Sequence, residues 1–341
     1  MKRSNQNDTL SRPQRGPKTP RTEVAAAVAA APAAPAPQRD TERESTLALV
    51  LDDPTQLRDC VYATDKDFVM AVVTQQRGGL EYAPANFQAD KDVVLAAVTR
   101  NGAQLQFASK QLQSDREVVS AAVNNQDSAL LHASTKLRFD REFVLSAVNN
   151  SGSVLEFADK KLWDDLEVVV AAVNNDTSVL HRLYKKLWSN RRVVLAAVNK
   201  DGEKLQYVSR KLRSNREVVL TAVKNNGDAL QYASAKRKSD REVVVSAVSN
   251  LGSALQYASE ELCSDREVIL AAIKNDGNAL EYASDELRTY REIVLTAVKN
   301  NGYALHYASA KIRSNRVVVL TAVKSNGYAL HCASVKLQSD R

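Results

Sequence analysis

The sequence predicts an all-α protein, an α-solenoid of about eleven 25-residue two-helix repeats behind a disordered N-terminal tail. Three observations predict this fold. From Asp65 the chain divides without insertion into eleven units of 25 residues, and apolar residues recur within each unit at helical spacing. Each unit is also too small to enclose a core alone, so it must stack on its neighbours. Units 1 to 11 begin at residues 65, 90, 115, 140, 165, 190, 215, 240, 265, 290 and 315.

The segment before the repeats has two predicted parts. Residues 1–44 contain "SRPQRGPKTPRTE" and "VAAAVAAAPAAPAPQ", and this composition buries too little apolar surface to offset chain entropy. We therefore expect a disordered, basic, Ala/Pro-rich tail, although a secretory signal and a transit peptide stay open as alternatives. Residues 45–64 are predicted to form a degenerate helical cap, in which Pro54 suits a first helical turn.

The first helix of each unit is predicted from apolar positions 4, 5, 8 and 9. Position 9 is Val in ten units and Ile273 in the other, while position 8 is Ala everywhere except Val72. The S-x-x-E motif, as in Ser114 to Glu117, predicts that serine caps the helix and glutamate reaches back. Position 13 is glycine in eight units, including Gly102, which predicts a left-handed residue that closes the helix.

The second helix is predicted from position 16, which is leucine in all eleven units, with a small residue at 19 and usually leucine at 23. The run "VVLAAV" would also suit a buried strand, and leucine-rich repeats have 20 to 29 residues. Central alanines, the capping motifs and the lack of an L-x-L alternation favour helix pairs. The last unit lacks a polar cap, which predicts either a truncated array or an end covered by self-association.

The motif "DREVVLxAVxNNGxALxYASxxLRS" resembles the tandem repeats of the family called domain of unknown function 4116, over residues 65–339. Its D-R-E-V-V, A-V-x-N-N-G and A-L-x-Y-A-S blocks recur in this order. The resemblance implies no activity, cofactor or catalytic residue, and by analogy alone it leaves a secreted or host-directed effector scaffold open. Units 1, 3 and 5 depart from it, since Arg77, Asp127 and Thr177 replace glycine and "HRLYKKLW" stands in unit 5.

Motifs that carry chemistry are absent from the sequence. No phosphate-binding glycine loop is present, and the four histidines have no metal-binding motif around them. We therefore predict no catalytic, cofactor or metal site and no enzyme activity. No apolar run is long enough to span a bilayer. Three widely separated cysteines without a C-x-x-C pair favour a reducing compartment, and hence the cytoplasm.

Position 18 is the strongest candidate for a binding surface, because it is aromatic in eight units. Lysine often follows four residues later, at Lys211, Lys236 and Lys311, where we expect it on the same helix face as the ring. Packing of the rings between units is the alternative to a ring-lined groove. The aromatic residues are Tyr82, Phe107, Phe157, Tyr207, Tyr232, Tyr257, Tyr282 and Tyr307.

Charge varies along the array although the chain as a whole carries a net +7. Residues 165–239 hold fifteen Lys or Arg against seven acids, including Lys185, Lys186, Arg210 and Arg213, whereas residues 240–289 hold four against ten. An array that binds along a phosphate backbone would not carry an acidic region beside its basic region, because the acidic side chains would repel the phosphates. We therefore predict a protein partner of mixed charge. RNA or single-stranded nucleic acid on the tyrosines and lysines is the alternative, and steep salt dependence would distinguish it.

Overall fold

The computed structural model describes residues 36–75, 78–182 and 185–339. Every regular element in these ranges is helical, which confirms the all-α class. From Thr46 onward the described residues form one compact unit, in which each repeat packs on the next. Units 2 to 11 each have a long α-helix followed by two short helical segments, which we call the second and third segments, and unit 1 has the long helix and the third segment. The repeat array is therefore an α-solenoid.

The long helices occupy positions 2 to 11 in units 2 to 11, and positions 2 to 9 in unit 1. Their bounds are Lys66–Val73, Lys91–Arg100, Arg116–Asn125, Arg141–Asn150, Leu166–Asn175, Arg191–Lys200, Arg216–Asn225, Arg241–Asn250, Arg266–Asn275, Arg291–Asn300 and Arg316–Ser325.

The second segments are six-residue 3₁₀ helices in most units, and unit 5 has a short α-helix instead. They span Gly102–Phe107, Asp127–His132, Gly152–Phe157, Val179–Arg182, Gly202–Tyr207, Gly227–Tyr232, Gly252–Tyr257, Gly277–Tyr282, Gly302–Tyr307 and Gly327–Cys332. The third segments span Ala85–Gln88, Leu112–Ser114, Thr135–Phe139, Lys160–Asp164, Lys185–Ser189, Leu212–Ser214, Ala235–Lys238, Leu262–Ser264, Leu287–Thr289, Ala310–Arg313 and Val335–Gln338.

The core lies where the apolar pattern predicts it. Positions 4, 5, 8 and 9 are buried, as in Val118, Val119, Ala122 and Val123. The leucine at position 16 is at most 1% exposed in units 1 to 10, and in unit 11 Leu330 is 38% exposed. Burial of these positions between successive units explains why each unit needs its neighbours.

The predicted serine cap was wrong, because the residue at position 1 caps the long helix. The Asp115 side chain accepts hydrogen bonds from the backbone N–H groups of Glu117 and Val118 at 2.9 and 3.1 Å. Ser114 instead donates to the Lys110 carbonyl. Aspartate also places a negative charge at the positive end of the helix dipole. Glu117 does not reach back, since it pairs with Lys91 of the preceding unit at 2.8 Å.

The glycine at position 13 also has a different role from the one predicted. Among the described residues, the glycine with a positive φ is Gly78, and position 13 begins the 3₁₀ segment instead. A Cβ added to Gly277 would lie 2.5 Å from the Ala297 carbonyl oxygen and 2.9 Å from the Asn301 nitrogen. Glycine is therefore needed because the next unit's long helix approaches the backbone closely.

An asparagine at position 11 fixes this close approach from the neighbouring unit. Asn225 accepts the Gly202 N–H at 2.8 Å, and its amide donates to the carbonyls of Asn199 and Lys200. Asn250 holds Gly227 in the same way. We call this contact the asparagine bracket. It ties the end of one long helix and the start of the following segment to the next unit.

The second helix is interrupted rather than continuous, because position 19 adopts an extended conformation. Val208, for example, has φ −68° and ψ 143°. The following N–H, that of Ser209, donates to the carbonyl of Trp188 in the preceding unit at 3.1 Å. A hydrogen bond between units therefore replaces the bond that would continue the helix.

The segment before the repeats is helical from Ala36 to Asp52 and again from Pro54 to Asp59. Residues 36–44, which the sequence analysis assigned to the tail, belong to the first of these helices; proline is tolerated in the first turn of a helix, and Pro37 occupies that turn. Residues 1–35, the rest of the predicted tail, lie outside the described residues. Leu57 is fully buried, and Asp53 caps the second of these helices by accepting from Thr55.

Candidate binding surface

The second segments of successive units are in contact, so the aromatic residues at position 18 form a row across the array. In units 6 to 10 this row is unbroken, and we call these five residues the tyrosine column. Its members are Tyr207, Tyr232, Tyr257, Tyr282 and Tyr307.

The column is neither sealed in the core nor fully open. Tyr207 is 43% exposed, and the other four rings are half-buried against core side chains. Each ring therefore packs between units and still reaches solvent. Phe107 and Phe157 occupy the same environment in units 2 and 4. The ring thus suffices for packing, and the hydroxyl group is available for another use.

Three phenols of the column, those of Tyr257, Tyr282 and Tyr307, have a raised pKa. Burial is the main cause that raises the pKa of Tyr257, and the neighbouring Tyr232 and Tyr282 add to it. Burial and the Glu281 carboxylate raise the pKa of Tyr282 and of Tyr307. At neutral pH these hydroxyl groups can therefore both donate and accept hydrogen bonds.

Neighbouring units supply the groups around each ring. The His181 ring lies edge-on to Tyr207 with centroids 4.7 Å apart, and the Trp188 ring lies 5.4 Å away. Lys238 lies above the Tyr257 ring at 6.0 Å. Trp188 and Lys238 both occupy position 24, which the sequence analysis missed. An alignment of the 25-residue units could have revealed position 24, because it carries a long side chain in the unit that precedes each of these two tyrosines.

The expected pairing of each tyrosine with the lysine four residues later was wrong. Positions 18 and 22 lie on different segments because position 19 is extended, so Lys211, Lys236 and Lys311 do not share a helix face with their tyrosines. All three lysines are exposed. Their location on the third segment places them on a surface of their own.

The remaining predicted contact residues lie in different environments. Arg210 is exposed, and Arg213 is half-buried with its Nε atom fully buried. Lys186 pairs with Asp164 at 2.6 Å. The side chain of Lys185 lies outside the described residues. The structure therefore places Lys186, Arg210 and Arg213 in different environments.

Most cations at position 2 are neutralised within the array. Lys91 contacts Asp115 at 2.9 Å, and Arg141 contacts Asp165 at 2.7 Å, in each case across to the next unit. These contacts lower the pKa of Asp115 and of Asp165, chiefly through the hydrogen bonds from Lys91 and Arg141. We call this series the ion ladder. Its arginines and lysines are already paired, so they contribute little to attracting a partner.

The described residues lack two features that other classes of site would need. They include no helix with the length and apolarity to cross a membrane. Within the same residues, no group of three or more histidine, cysteine, aspartate or glutamate side chains is arranged to hold a metal ion.

Stacked helical repeats with a row of aromatic residues define a tandem helical-repeat protein, an arrangement that fits a repeat scaffold. The chain belongs to the family described as Domain of unknown function (DUF4116), whose model matches residues 65–111, 90–138, 140–188, 190–237, 240–288 and 290–338. Each match covers close to two 25-residue units, so one family domain corresponds to a pair of them. No curated protein and no solved structure matches the chain.

Proposed function

We propose that the chain is a non-enzymatic scaffold that binds another protein along the tyrosine column. The observation that carries this proposal is the row of five half-exposed phenols in consecutive units. Tyrosine is enriched in protein interfaces because its ring buries a large area at low entropic cost while its hydroxyl makes hydrogen bonds. A tyrosine ring that already packs against the core of the array loses little further conformational entropy on binding.

The polar side chains beside the column suit a polypeptide ligand. Position 17 carries exposed Gln206 and Gln256 and half-exposed Gln231, each of which can donate to and accept from a peptide backbone. Glu281 and His306 occupy the same position in units 9 and 10. A phosphate backbone on this surface would meet the carboxylate of Glu281, which disfavours nucleic acid.

The test is site-specific photo-crosslinking of the full chain in lysate from its own cells. A crosslinking amino acid in place of Gln256 reports on the column, and one in place of exposed Ser249 on the long helix is the control. We expect a discrete protein adduct at position 256 that is absent at position 249. Equal labelling at both positions, or an adduct that nuclease removes, would contradict the proposal.

Two triple variants show whether the rings themselves bind. Replacing Tyr232, Tyr257 and Tyr282 by histidine, the residue found at His132 in unit 3, should reduce adduct formation by about tenfold or more. Replacing the same three by phenylalanine keeps the packing seen at Phe107, and we expect binding within about threefold of the original. Helical circular dichroism and the thermal midpoint establish that both variants are folded.

A further inference from the structure

A second row of side chains follows the third segments. Positions 21 and 22 are exposed in units 2 to 11 wherever the structure describes the side chain. In units 2 to 7 they carry cations and no acid, whereas in units 8 and 9 they carry Glu260, Glu261, Asp285 and Glu286. We call the cations of units 2 to 7 the basic edge. Its described members are Lys110, Lys136, Lys160, Lys161, Lys186, Arg210, Lys211 and Lys236.

Direct backbone hydrogen bonds align the third segments. In units 2, 3, 4, 6 and 7 the N–H at position 20 donates to the carbonyl at position 24 of the preceding unit, as in Ser134 to Gln113 at 2.8 Å and Asp159 to Arg138 at 3.1 Å. The same bond joins Ser234 to Arg213 at 3.1 Å. Because positions 21 and 22 follow directly, the cations of successive units lie in one row.

The basic edge differs from the ion ladder in that most of its charge is unpaired. In the part of the chain that the structure describes, no carboxylate lies within 4 Å of Lys136, Lys160, Arg210, Lys211 or Lys236. Three other members have a partner. Lys186 pairs with Asp164, Lys110 donates to Gln113 at 3.0 Å, and Lys161 lies over the Phe139 ring at 5.2 Å.

The length and spacing of the edge suit an extended chain. Neighbouring helix layers lie about 8 to 10 Å apart, so six units extend over roughly 50 Å. An extended polypeptide rises about 3.3 Å per residue, so about 15 residues cover this length and every third residue faces a new unit. The acidic side chains of units 8 and 9 would repel an anionic ligand and so set its limit at unit 7.

A nucleic acid fits this surface less well, because the stacking rings and the cations that it needs lie largely in different units. Bases require stacking rings beside the cations. The unbroken tyrosine column runs from unit 6 to unit 10, and its middle coincides with the acidic units. Across units 2 to 5 position 18 is only alternately aromatic, with His132 in unit 3 and Arg182 in unit 5 following Phe107 and Phe157.

We propose that the basic edge binds an extended acidic polypeptide segment of about 15 residues with a carboxylate at every third position. This surface is separate from the tyrosine column, so the two proposals stand or fall independently. The charge–charge contacts give the segment its position along the array and a fast association rate rather than great affinity.

The experiment measures fluorescence anisotropy of a labelled peptide of five Glu-Ser-Gly triplets with the full chain. We expect saturable binding that weakens about tenfold or more when the salt concentration rises from about 50 to about 300 mM. A peptide of five Lys-Ser-Gly triplets should not bind. Binding of the acidic peptide should survive in the triple Tyr-to-His variant, which separates this surface from the column.

A matched pair of double variants locates the site. Lys211→Glu/Lys236→Glu reverses two charges on the edge at position 22, where units 8 and 9 already carry Glu261 and Glu286. We expect about a tenfold loss of peptide affinity. Lys311→Glu/Lys336→Glu makes the same change at the same position in units 10 and 11, and should alter affinity by less than about threefold.

Three outcomes would overturn the proposal. The first is no peptide binding at low salt, or an equal loss in both double variants. The second is tighter binding of a 15-nucleotide single-stranded RNA that is lost in Lys211→Glu/Lys236→Glu, which would assign the edge to nucleic acid. The third is a dimer in analytical ultracentrifugation that this variant dissociates, which would assign the edge to a second copy of the chain.

Discussion

Units 6 to 9 and unit 5 share one period but contact the following unit differently. Each of units 6 to 9 has the glycine of an asparagine bracket and an arginine in the ion ladder. Unit 5 has Thr177 and Leu166 at these positions. Its following neighbour changes in step, with Lys200 in place of asparagine and Arg192 in place of glutamate.

The irregularity of unit 5 is confined to one side. Toward unit 4 it makes both regular contacts, since Asn175 accepts the Gly152 N–H and Asp165 pairs with Arg141. Toward unit 6 both are lost, and Lys200 donates to the Asn174 carbonyl instead. At this junction the residues of both units change together, as expected for contacts that each need two partners.

The largest expected effect comes from blocking a regular contact. Gly277→Ala places a Cβ against the Ala297 carbonyl oxygen and the Asn301 nitrogen, which are backbone atoms that cannot rotate away. We expect the free energy of unfolding to fall by about 3 kcal/mol. Gly327→Ala is the matched control, because its Cβ meets no atom within 4 Å. Urea unfolding of both variants provides the measurement, and equal midpoints would refute the close-approach role of glycine.

Removing the bracket itself should have the next largest effect. Asn250→Ala leaves the Gly227 N–H without its acceptor and removes the donor to the Lys224 carbonyl. We expect a loss of about 2 kcal/mol, since an unpaired buried amide carries its full desolvation cost. Lys200→Ala at the irregular junction should cost less, because no glycine N–H depends on that side chain. If urea unfolding showed a larger loss of stability for Lys200→Ala than for Asn250→Ala, the regular bracket would not be the stronger contact.

Restoring the contact between units 5 and 6 should stabilise the array. Thr177→Gly/Lys200→Asn introduces the glycine and the asparagine of a regular bracket, with an expected gain of about 1 kcal/mol. Either single change should give no gain, because neither partner acts alone. A double-mutant cycle measures this coupling. If the effects of the two single changes on the free energy of unfolding were additive, unit 5 would not adopt the regular geometry.

The smallest expected effect concerns the ion ladder. Because the folded-state pKa of Asp115 is lowered, its contribution to stability is present above the ordinary aspartate pKa and is lost as pH falls through the lowered value. Asp115→Asn keeps the cap, as Asn215 does in unit 7, but removes the pairing with Lys91. We expect thermal unfolding of the variant to be less sensitive to pH below about 4. An unchanged pH profile would exclude an ionic contribution.

Charge shows how much of the candidate surfaces the sequence could reveal. The basic units 5 to 7 and acidic units 8 and 9 are evident from the sequence, but residues 290–339, with seven Lys or Arg against one acid, were missed as a further basic region. The sequence alone also cannot separate Arg141, which the next unit neutralises, from Lys211, which no carboxylate approaches among the residues that the structure describes. That distinction depends on residues 24 to 26 positions away.

The sequence by itself determined the period, the helical class and the core. These follow from local spacing, because positions 4, 5, 8 and 9 lie on one face of a helix with 3.6 residues per turn, and the leucine at position 16 marks a second buried site in units 1 to 10. The tertiary structure decided which residue caps each long helix, why position 13 must be glycine and how far each tyrosine reaches solvent. The cap was decided by local geometry, because serine and aspartate are both suitable N-cap residues by type. The other two features depend on atoms of a neighbouring unit, and a pattern within one unit carries no record of the distance to the next.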